Sequence, residues 1–400
     1  MAVQMEDANR EALMVLLRRW SSGSDEPLPA AAQINFAAAE SSQQAVEAIA
    51  LEGLGEDPIE EEVRMHWIKR SVQRIGKSRA VQQAQAELVR ILEQANVPYM
   101  ILKGAAAAQY YPNPSYRAMG DIDFLVPHAM LEQTRVLLEN NGFALEQNHH
   151  DLEWNFSKDG VKLEMHLHVS RLPAPELQET VDRWFEQGLD TAVERENEWG
   201  SFRAPAPALN GLMLLLHAQR HLTKLELGLR QVMDFAMFVR SADMQTGAEQ
   251  LREYCRVLHL ETFLHTMVKL CVLYFDVPAE SVSFCMDADD GACALVMSAC
   301  FESGNFGHKN DGQTTIVGKH GRRGESRVHT AMRNLITGAK NTMPVMQKCP
   351  PLLIFAPFCM SARYFWRVLR GKRKMPDIGY LQRTAKIKSQ LTQSLKMFEE

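Results

Sequence analysis

The chain has no Cys-x-x-Cys pair, no long apolar run, no internal repeat and no basic-then-apolar start. Its seven cysteines (Cys255, Cys271, Cys285, Cys293, Cys300, Cys349 and Cys359) are an odd number in mostly apolar surroundings. That argues against a disulfide framework and reads as reduced core thiols. The longest apolar stretch, Pro350 to Met360, is broken by Pro357 and falls short of the roughly 20 residues that cross a bilayer. The acidic, polar start does not read as a secretory signal, so the expected location is cytoplasmic. Aromatics make up only 8% of the chain, but hydrophobic residues at 46% and charged residues at 23% are ordinary for a folded protein. Four hundred residues hold about two to three domains at roughly 100–200 residues each.

The net charge of −5 conceals an asymmetry. Residues 1–62 carry thirteen acids and three bases, whereas residues 319–374 carry thirteen bases and one acid, Glu325. Such a separation steers anionic partners, or lets one end of the chain face the other.

Apolar spacing predicts a helix over the first twenty residues, a linker from Ser21 to Pro29 and a second helix to about Leu54. Val63, Trp67, Val72, Ile75, Val81, Leu88 and Leu92 continue at helical spacing, as one long helix or two in series. The pattern changes at Asn96. Val97 to Leu102 and Ile122 to Val126 read as short buried strands, with a small-residue helix from Gly104 to Tyr111 between them. A helix over Leu131 to Asn140 stops at Asn141-Gly142. Phe143 to Gln147 reads as a further strand. Leu152 to Ser157 and Val161 to Val169 flank an Asp159-Gly160 turn, a strong hairpin signal. Residues 96–170 therefore form a mixed unit of about four or five strands. Beyond Pro207, Asn210 to Leu222, Gln231 to Arg240 and Leu251 to Phe275 read as helices.

Asp121 and Asp123 lie two apart on a predicted strand and so point to one face. Paired carboxylates near a core repel unless a cation or proton sits between them, and oxygen ligands suit Mg²⁺. Glu164, His166 and His168 alternate along the second hairpin strand. If that strand lies beside the first, Glu164 becomes a third acid, enough for two metal ions in an in-line displacement. A zinc site of Glu164, His166 and His168 is the competing reading, and a solvated strand face the plainest one. Lys103-Gly104 stands at a strand-to-helix turn, where backbone N–H groups approach a phosphate. Lys103 and Arg117 are candidates to neutralise phosphate charge. His217 and His221 share one helix face, as do Arg230 and Asp234; both pairs are also ordinary structural spacings.

In order, Leu102-Lys-Gly104, a small-residue helix, Tyr111-Pro112, Arg117, Gly120-Asp-Ile-Asp-Phe-Leu-Val126 and Glu164-Met-His166 resemble a bacterial family of largely uncharacterised nucleotidyltransferase-like proteins. The resemblance is specific across about residues 97–170. It runs more loosely through His217-Ala-Gln-Arg-His221 and Arg230-Gln-Val-Met-Asp234, and is silent on residues 1–60. It implies an α+β fold of the DNA-polymerase-β-like superfamily, with a small mixed sheet, N-terminal helices and a large helical C-terminal half. The divisions expected are 1–95, 96–205 and 206–400. It further implies Mg²⁺ (or Mn²⁺) held by Asp121, Asp123 and Glu164, a nucleotide held by Lys103, Gly104 and Arg117, and cleft positions at His166, His217, His221, Arg230 and Asp234. One departure stands out: the wider superfamily usually has Gly-Ser or Gly-Gly at the phosphate turn, and here Ala105 follows Gly104.

Three functions follow as expectations. The first is transfer of a nucleoside monophosphate from a triphosphate to a hydroxyl of a small molecule or peptide. The second is a catalytically weak or inactive binding or scaffold protein that keeps the fold. The third is nucleic-acid binding through Arg363-Tyr-Phe-Trp-Arg367 and Arg370-Gly-Lys-Arg-Lys374, whose interleaved aromatics and bases also suit a packed helix with a solvated basic face.

Overall fold

Helices open the chain in the computed structural model, which describes residues 2–146, 152–310 and 378–398, with scattered positions between 336 and 370. Helix α1 (Ala2–Ser22) buries Ala12, Leu13, Leu16 and Leu17. The single helix expected up to Leu54 is in fact two, α2 (Ala31–Gln43) and α3 (Glu47–Leu54). The break has a physical cause in Gln44. Ala45 turns to a φ of 56°, and the fully buried Gln44 amide donates to Cys300 O at 3.1 Å and accepts from Leu229 N at 2.9 Å. A helix running straight through would leave both backbone groups without that partner. Helix α4 (Glu61–Gln94) is one uninterrupted helix.

The sheet follows. Strand β1 (Met100–Leu102), helix α5 (Gly104–Ala108), strand β2 (Asp121–Leu125), helix α6 (Leu131–Asn140) and strands β3 (Ala144–Leu145), β4 (Glu153–Lys158) and β5 (Val161–His166) build a five-stranded sheet of order β1-β2-β5-β4-β3. Only β2 and β5 run parallel. The β4–β5 turn is as the sequence predicts: Asp159 and Gly160 have φ of 50° and 79°, the two positive values of a tight primed hairpin turn. Two strands are shorter than expected. β1 starts at Met100, past Pro98, which has no N–H to give a ladder. β5 ends at His166 because Leu167 N and His168 N both bond to Leu152 O, at 2.8 and 3.1 Å. The third expected strand is confined to β3, and Gln147 lies outside the described residues.

Sequence patterning assigned nothing to residues 171–204, which form α7 (Pro175–Gly188) and a separate hairpin, β6 (Val193–Asn197) and β7 (Gly200–Ala204). Helices α8 (Pro207–Lys224) and α9 (Leu229–Arg240) follow. The helix expected from Leu251 to Phe275 is broken where His259 adopts a φ of 53°, giving α10 (Ala242–Val257) and α11 (Glu261–Phe275). Helix α12 (Asp290–Ser303) is capped by Asp289, and α13 (Ile378–Leu395) lies near the C-terminus. The basic segment 319–374, including its nucleic-acid candidates, lies almost wholly outside the described residues.

Two cores result. On one side of the sheet, Ile101, Ile122, Phe124, Phe156, Leu163 and Met165 pack on Val81, Leu88 and Leu92 of α4 and Leu138 of α6. On the other, Met100, Leu102 and Leu125 join a larger core drawn from α1, α3 and α7 to α12. Alternation along β2 and β5 therefore turns Asp121, Asp123, Glu164 and His166 toward the helical layer. Cys255, Cys271, Cys285, Cys293 and Cys300 are free and buried, and Cys359 is free and partly exposed; Cys349 lies outside the described residues. No described helix is long and apolar enough to cross a membrane.

Two glycines test the packing in opposite directions. A Cβ at Gly53 of α3 would collide with the Leu16 backbone oxygen of α1, whereas one at Gly76 of α4 meets nothing within 4 Å. Gly76→Ala should raise stability by about 0.5–1 kcal/mol, the ordinary helix gain. Gly53→Ala should lower it by about 1–3 kcal/mol, because neither backbone can retreat. Chemical denaturation of both variants gives the comparison, and a stabilised Gly53→Ala would contradict the close α1–α3 contact.

Candidate functional site

Asp123 and Glu164 are direct register partners on the parallel pair β2–β5, and Asp121 lies two residues back on the same face, opposite Lys162. The neighbouring strands add to this surface. Antiparallel β4 sets Asn155 against Glu164 and Glu153 against His166, both on the acid-bearing face. Glu153 and Asn155 are buried, and sequence reading missed both because their alternation with Trp154 and Phe156 looks like that of any half-buried strand. Four carboxylates thus share the inner face of one small sheet.

Lys103 answers part of that charge. It follows β1 with φ 47° and ψ −129°, a conformation that residues with a side chain rarely adopt, and Gly104 after it has φ 29°. Holding a lysine there costs about 1–3 kcal/mol of backbone strain. The turn brings the buried Lys103 ammonium onto Asp123 Oδ1. His166, fully buried, contacts the same oxygen through Nε2 at 2.8 Å. The donor atoms of Asp123, Glu164 and His166 all lie within 4.8 Å of one another.

The acids respond unequally. Burial works to raise Asp123, but Lys103 and then His166 outweigh it and hold the carboxyl below its usual range. Burial and then the Asp123 charge push Asp121 up, against Lys103 and Arg230. Burial and the same Asp123 charge push Glu164 up to about 8. One acid is therefore firmly ionised while its neighbour across the ladder holds a proton near neutral pH, the usual outcome when carboxylates crowd a site.

The other sequence candidates divide. Arg117 is not free to meet a ligand: its Nε and Nη2 reach Asp234 Oδ1 and Oδ2 at 3.0 and 2.7 Å, and Tyr111 donates its hydroxyl to Oδ1 at 2.6 Å. Asp234 is thereby taken from the helix-spaced Arg230 pair that the sequence suggested. Arg230 instead gives Nη1 to Ala118 O at 3.2 Å and Nε to Asn305 Oδ1 at 3.3 Å, with Phe306 4.8 Å from its guanidinium carbon. Burial and then Arg117 push Arg230 down, while Asp234 and then Asp121 pull it up. Asn305 and Phe306 carry no motif that sequence reading could have found. His217 and His221 meet edge to face at 4.5 Å on α8, and His221 meets Phe306 at 5.1 Å. Burial, then His221 and Lys103, push His217 well down, and burial holds His221 to about 4 against the pull of Glu226. His168 stands apart: beyond the end of β5, its Nδ1 pairs with Asp182 Oδ2 at 2.8 Å.

On α8 the same face continues from His217 and His221 to Arg220 and Lys224, at helical spacing. The partly buried Arg220 guanidinium has no carboxylate partner among the described residues. Burial and then Arg220 push Lys224 down. Acids on the sheet thus face bases and imidazoles on α8 and α9. Asp121 is coupled electrostatically to Arg230, Glu153 to Lys224 and Lys103 to His217.

A family model described as uncharacterised nucleotidyltransferase matches residues 31–276. No curated protein matches the chain. Among solved structures, the antibiotic-resistance factor ANT(2″)-Ia is similar at 14% identity, over 46% of this chain and 92% of that one, with a TM-score of 0.32. An antigenic nucleotidyltransferase-like protein from Paracoccidioides brasiliensis is similar at 16% identity, over 50% and 94%, with a TM-score of 0.29. Overlaps that low leave the family match as the finding that counts.

Two measurements follow from the geometry. Asp234→Asn leaves the buried Arg117 charge uncompensated and should cost about 3–5 kcal/mol in denaturant unfolding; a loss under 1 kcal/mol would show that the pair is not closed in solution. Glu164 supplies the second. Folded, it keeps its proton to about 8, and unfolded it loses it near its ordinary 4.5, so the native chain binds more protons between those values. Stability of the chelator-treated protein should therefore fall as pH rises from 6.5 to 8, a window above the titration of the depressed histidines. Glu164→Gln should flatten that slope in thermal melts, and an unchanged slope would mean that Glu164 ionises normally.

Proposed function

Because the chain belongs to the uncharacterised nucleotidyltransferase family, we propose that it transfers a nucleoside monophosphate from a nucleoside triphosphate to an acceptor hydroxyl. The acceptor is a small molecule or a peptide rather than a nucleic acid, because the basic segment lies far along the chain from the acids. The carrying observation is the register of β2 and β5, which sets Glu164 beside Asp123 with Asp121 on the same face.

The donor set fits a divalent ion. Asp121, Asp123 and Glu164 would hold Mg²⁺ or Mn²⁺, which when bound supplies positive charge to the phosphates and to the attacking oxygen. The rest falls to the chain itself. Lys103 neutralises phosphate charge at the strained turn, where Gly104 lets the backbone come close. Arg117, committed to Asp234, acts by fixing the frame, and Arg230 takes the phosphate-facing place that the sequence reading gave to Arg117. Arg220 and Lys224 extend that basic wall toward the triphosphate tail. Once a bound cation replaces its own proton, Glu164 would take the proton of the acceptor hydroxyl as the acceptor oxygen bonds to the α-phosphorus and pyrophosphate leaves. Most of the rate enhancement in such a site comes from positioning and preorganised charge.

Purified full-length protein should bind one or more of the four common labelled triphosphates with Mg²⁺ or Mn²⁺ and label an acceptor supplied from small-molecule or peptide fractions. Asp121→Ala with Asp123→Ala should lower transfer by at least about 10³-fold, the scale set by losing preorganised charge stabilisation. Absence of binding to all four triphosphates, with the double variant indistinguishable from wild type, would sink the proposal.

A further inference from the structure

We propose that the ring of Phe306 is the surface on which the nucleobase of the bound triphosphate stacks. The proposal rests on the transfer reading and adds the one part of a nucleotide that the charged residues leave without a partner.

Phe306 belongs to Gly304-Asn-Phe-Gly307, which follows α12 and lies beyond residue 276, where the family match ends. The chain is anchored just before the ring. Asn305 is buried, and its Oδ1 accepts from Arg230 Nε at 3.3 Å. Its backbone lies against Gly228 at the start of α9, where any side chain would collide with it. From that anchor Phe306 takes φ 54° and ψ 30°, and Gly307 takes φ 67°. A bulky residue rarely adopts this left-handed conformation. The turn brings the Phe306 ring to α8 and α9 together. The Arg230 guanidinium carbon lies 4.8 Å from the ring centroid, and the His221 ring lies 5.1 Å away, crossed at 64°.

These contacts hold the ring without enclosing it. Among the described residues Phe306 is 45% exposed. A single exposed phenylalanine is a weak signal on its own. Its neighbours make it specific. The other exposed aromatics, Phe355, Phe358 and Trp366, make no described ring or cation contact with the site. Phe306 contacts two of the site's residues, on two different helices.

The covalent structure of a nucleotide supplies the next step. A nucleobase is joined to its α-phosphate through a single ribose. Its platform must therefore lie about a sugar's length from the charges that face the phosphates. Arg230 is one of those charges, and it is the direct neighbour of Phe306. The acids of the sheet and the bases of α8 and α9 answer the metal and the phosphates, and neither offers a flat apolar surface. An aromatic ring does, and it suits any base because every base has a π-face. A guanidinium against the same ring extends the stack.

Equilibrium dialysis of the purified full-length protein with Mg²⁺ tests this with two kinds of probe. One is the set of common nucleoside triphosphates. The other is inorganic tripolyphosphate, which carries the charge but no base. Phe306→Leu should weaken each triphosphate that wild type binds by about 5- to 100-fold, the range for losing one base stack. It should leave tripolyphosphate binding unchanged. Phe306→Trp, which keeps an aromatic face, should hold or raise nucleotide affinity. Nucleotide binding by Phe306→Leu equal to wild type would overturn the platform, as would a parallel loss of nucleotide and tripolyphosphate. If Phe306→Leu does not fold, Phe306→Trp decides alone: affinity kept supports stacking, and affinity lost while tripolyphosphate still binds overturns it. Nucleotide binding by wild type without the selective loss removes this inference and leaves the transfer proposal standing. Absence of all triphosphate binding by wild type removes both.

Discussion

Four carboxylates on the inner face of one five-stranded sheet, roofed by helices, set the terms for the rest of this molecule. At about 5 Å and an effective dielectric of ~20, a like-charged pair such as Asp123 and Glu164 would cost about 3 kcal/mol. The fold answers in three ways, each visible in a separate residue. Glu164 keeps its proton, pushed up to about 8. Lys103 is drawn onto Asp123 through a left-handed backbone that a lysine would otherwise avoid. His166 is fixed by a backbone carbonyl so that its other nitrogen faces the same carboxylate. A sheet built for stability alone would place threonines or apolar residues on this face. Strain and repulsion held in place by the surrounding structure are what the proposed metal- and phosphate-holding roles would draw on.

What holds the roof to the sheet is a second, quieter node. Arg117 lies just before β2 and Asp234 lies on α9, more than a hundred residues later, yet they meet in a buried two-point pair that Tyr111 completes. The geometry fixes α9 against the entry to β2 and so fixes the distance between Arg230 and the acids. A buried ion pair of this kind adds little net stability over well-packed apolar residues, but it tolerates only one arrangement. Positioning is what it contributes, and the two walls of the cleft need positioning more than strength.

The acid wall was legible in the sequence because a strand's period of two is strict. Asp121, Asp123 and Glu164 had to fall on common faces once β2 and β5 were recognised, and the Asp159-Gly160 turn set the hairpin register. The same rule misled at His168, since period two applies only while the ladder continues, and Leu152 O ends it at His166. Arg117 misled for a different reason. An arginine beside an acid motif is written the same way whether it meets phosphate or a distant aspartate. The second helix and the helix after Leu251 broke at Ala45 and His259, non-glycine residues in positive φ, which leave almost no trace in a sequence. Glu153, Asn155 and Asn305 were silent because their roles come from register or from chain brought in from far away.

The basic wall completes the argument about what such a cleft is for. His217, Arg220, His221 and Lys224 repeat on one face of α8, and Arg230 adds a guanidinium that bonds the neutral oxygens of Ala118 and Asn305 beside Phe306. Burial depresses His217, His221, Lys224 and Arg230 alike, so each would gain from an anion brought into the cleft. The acids opposite would gain from a cation in the same way. A neutral ligand relieves neither wall, and a single ion relieves only one. On the proposed function, a triphosphate carried with its metal would relieve both at once, and the two sets of charges, unfavourable separately, would be balanced as a pair.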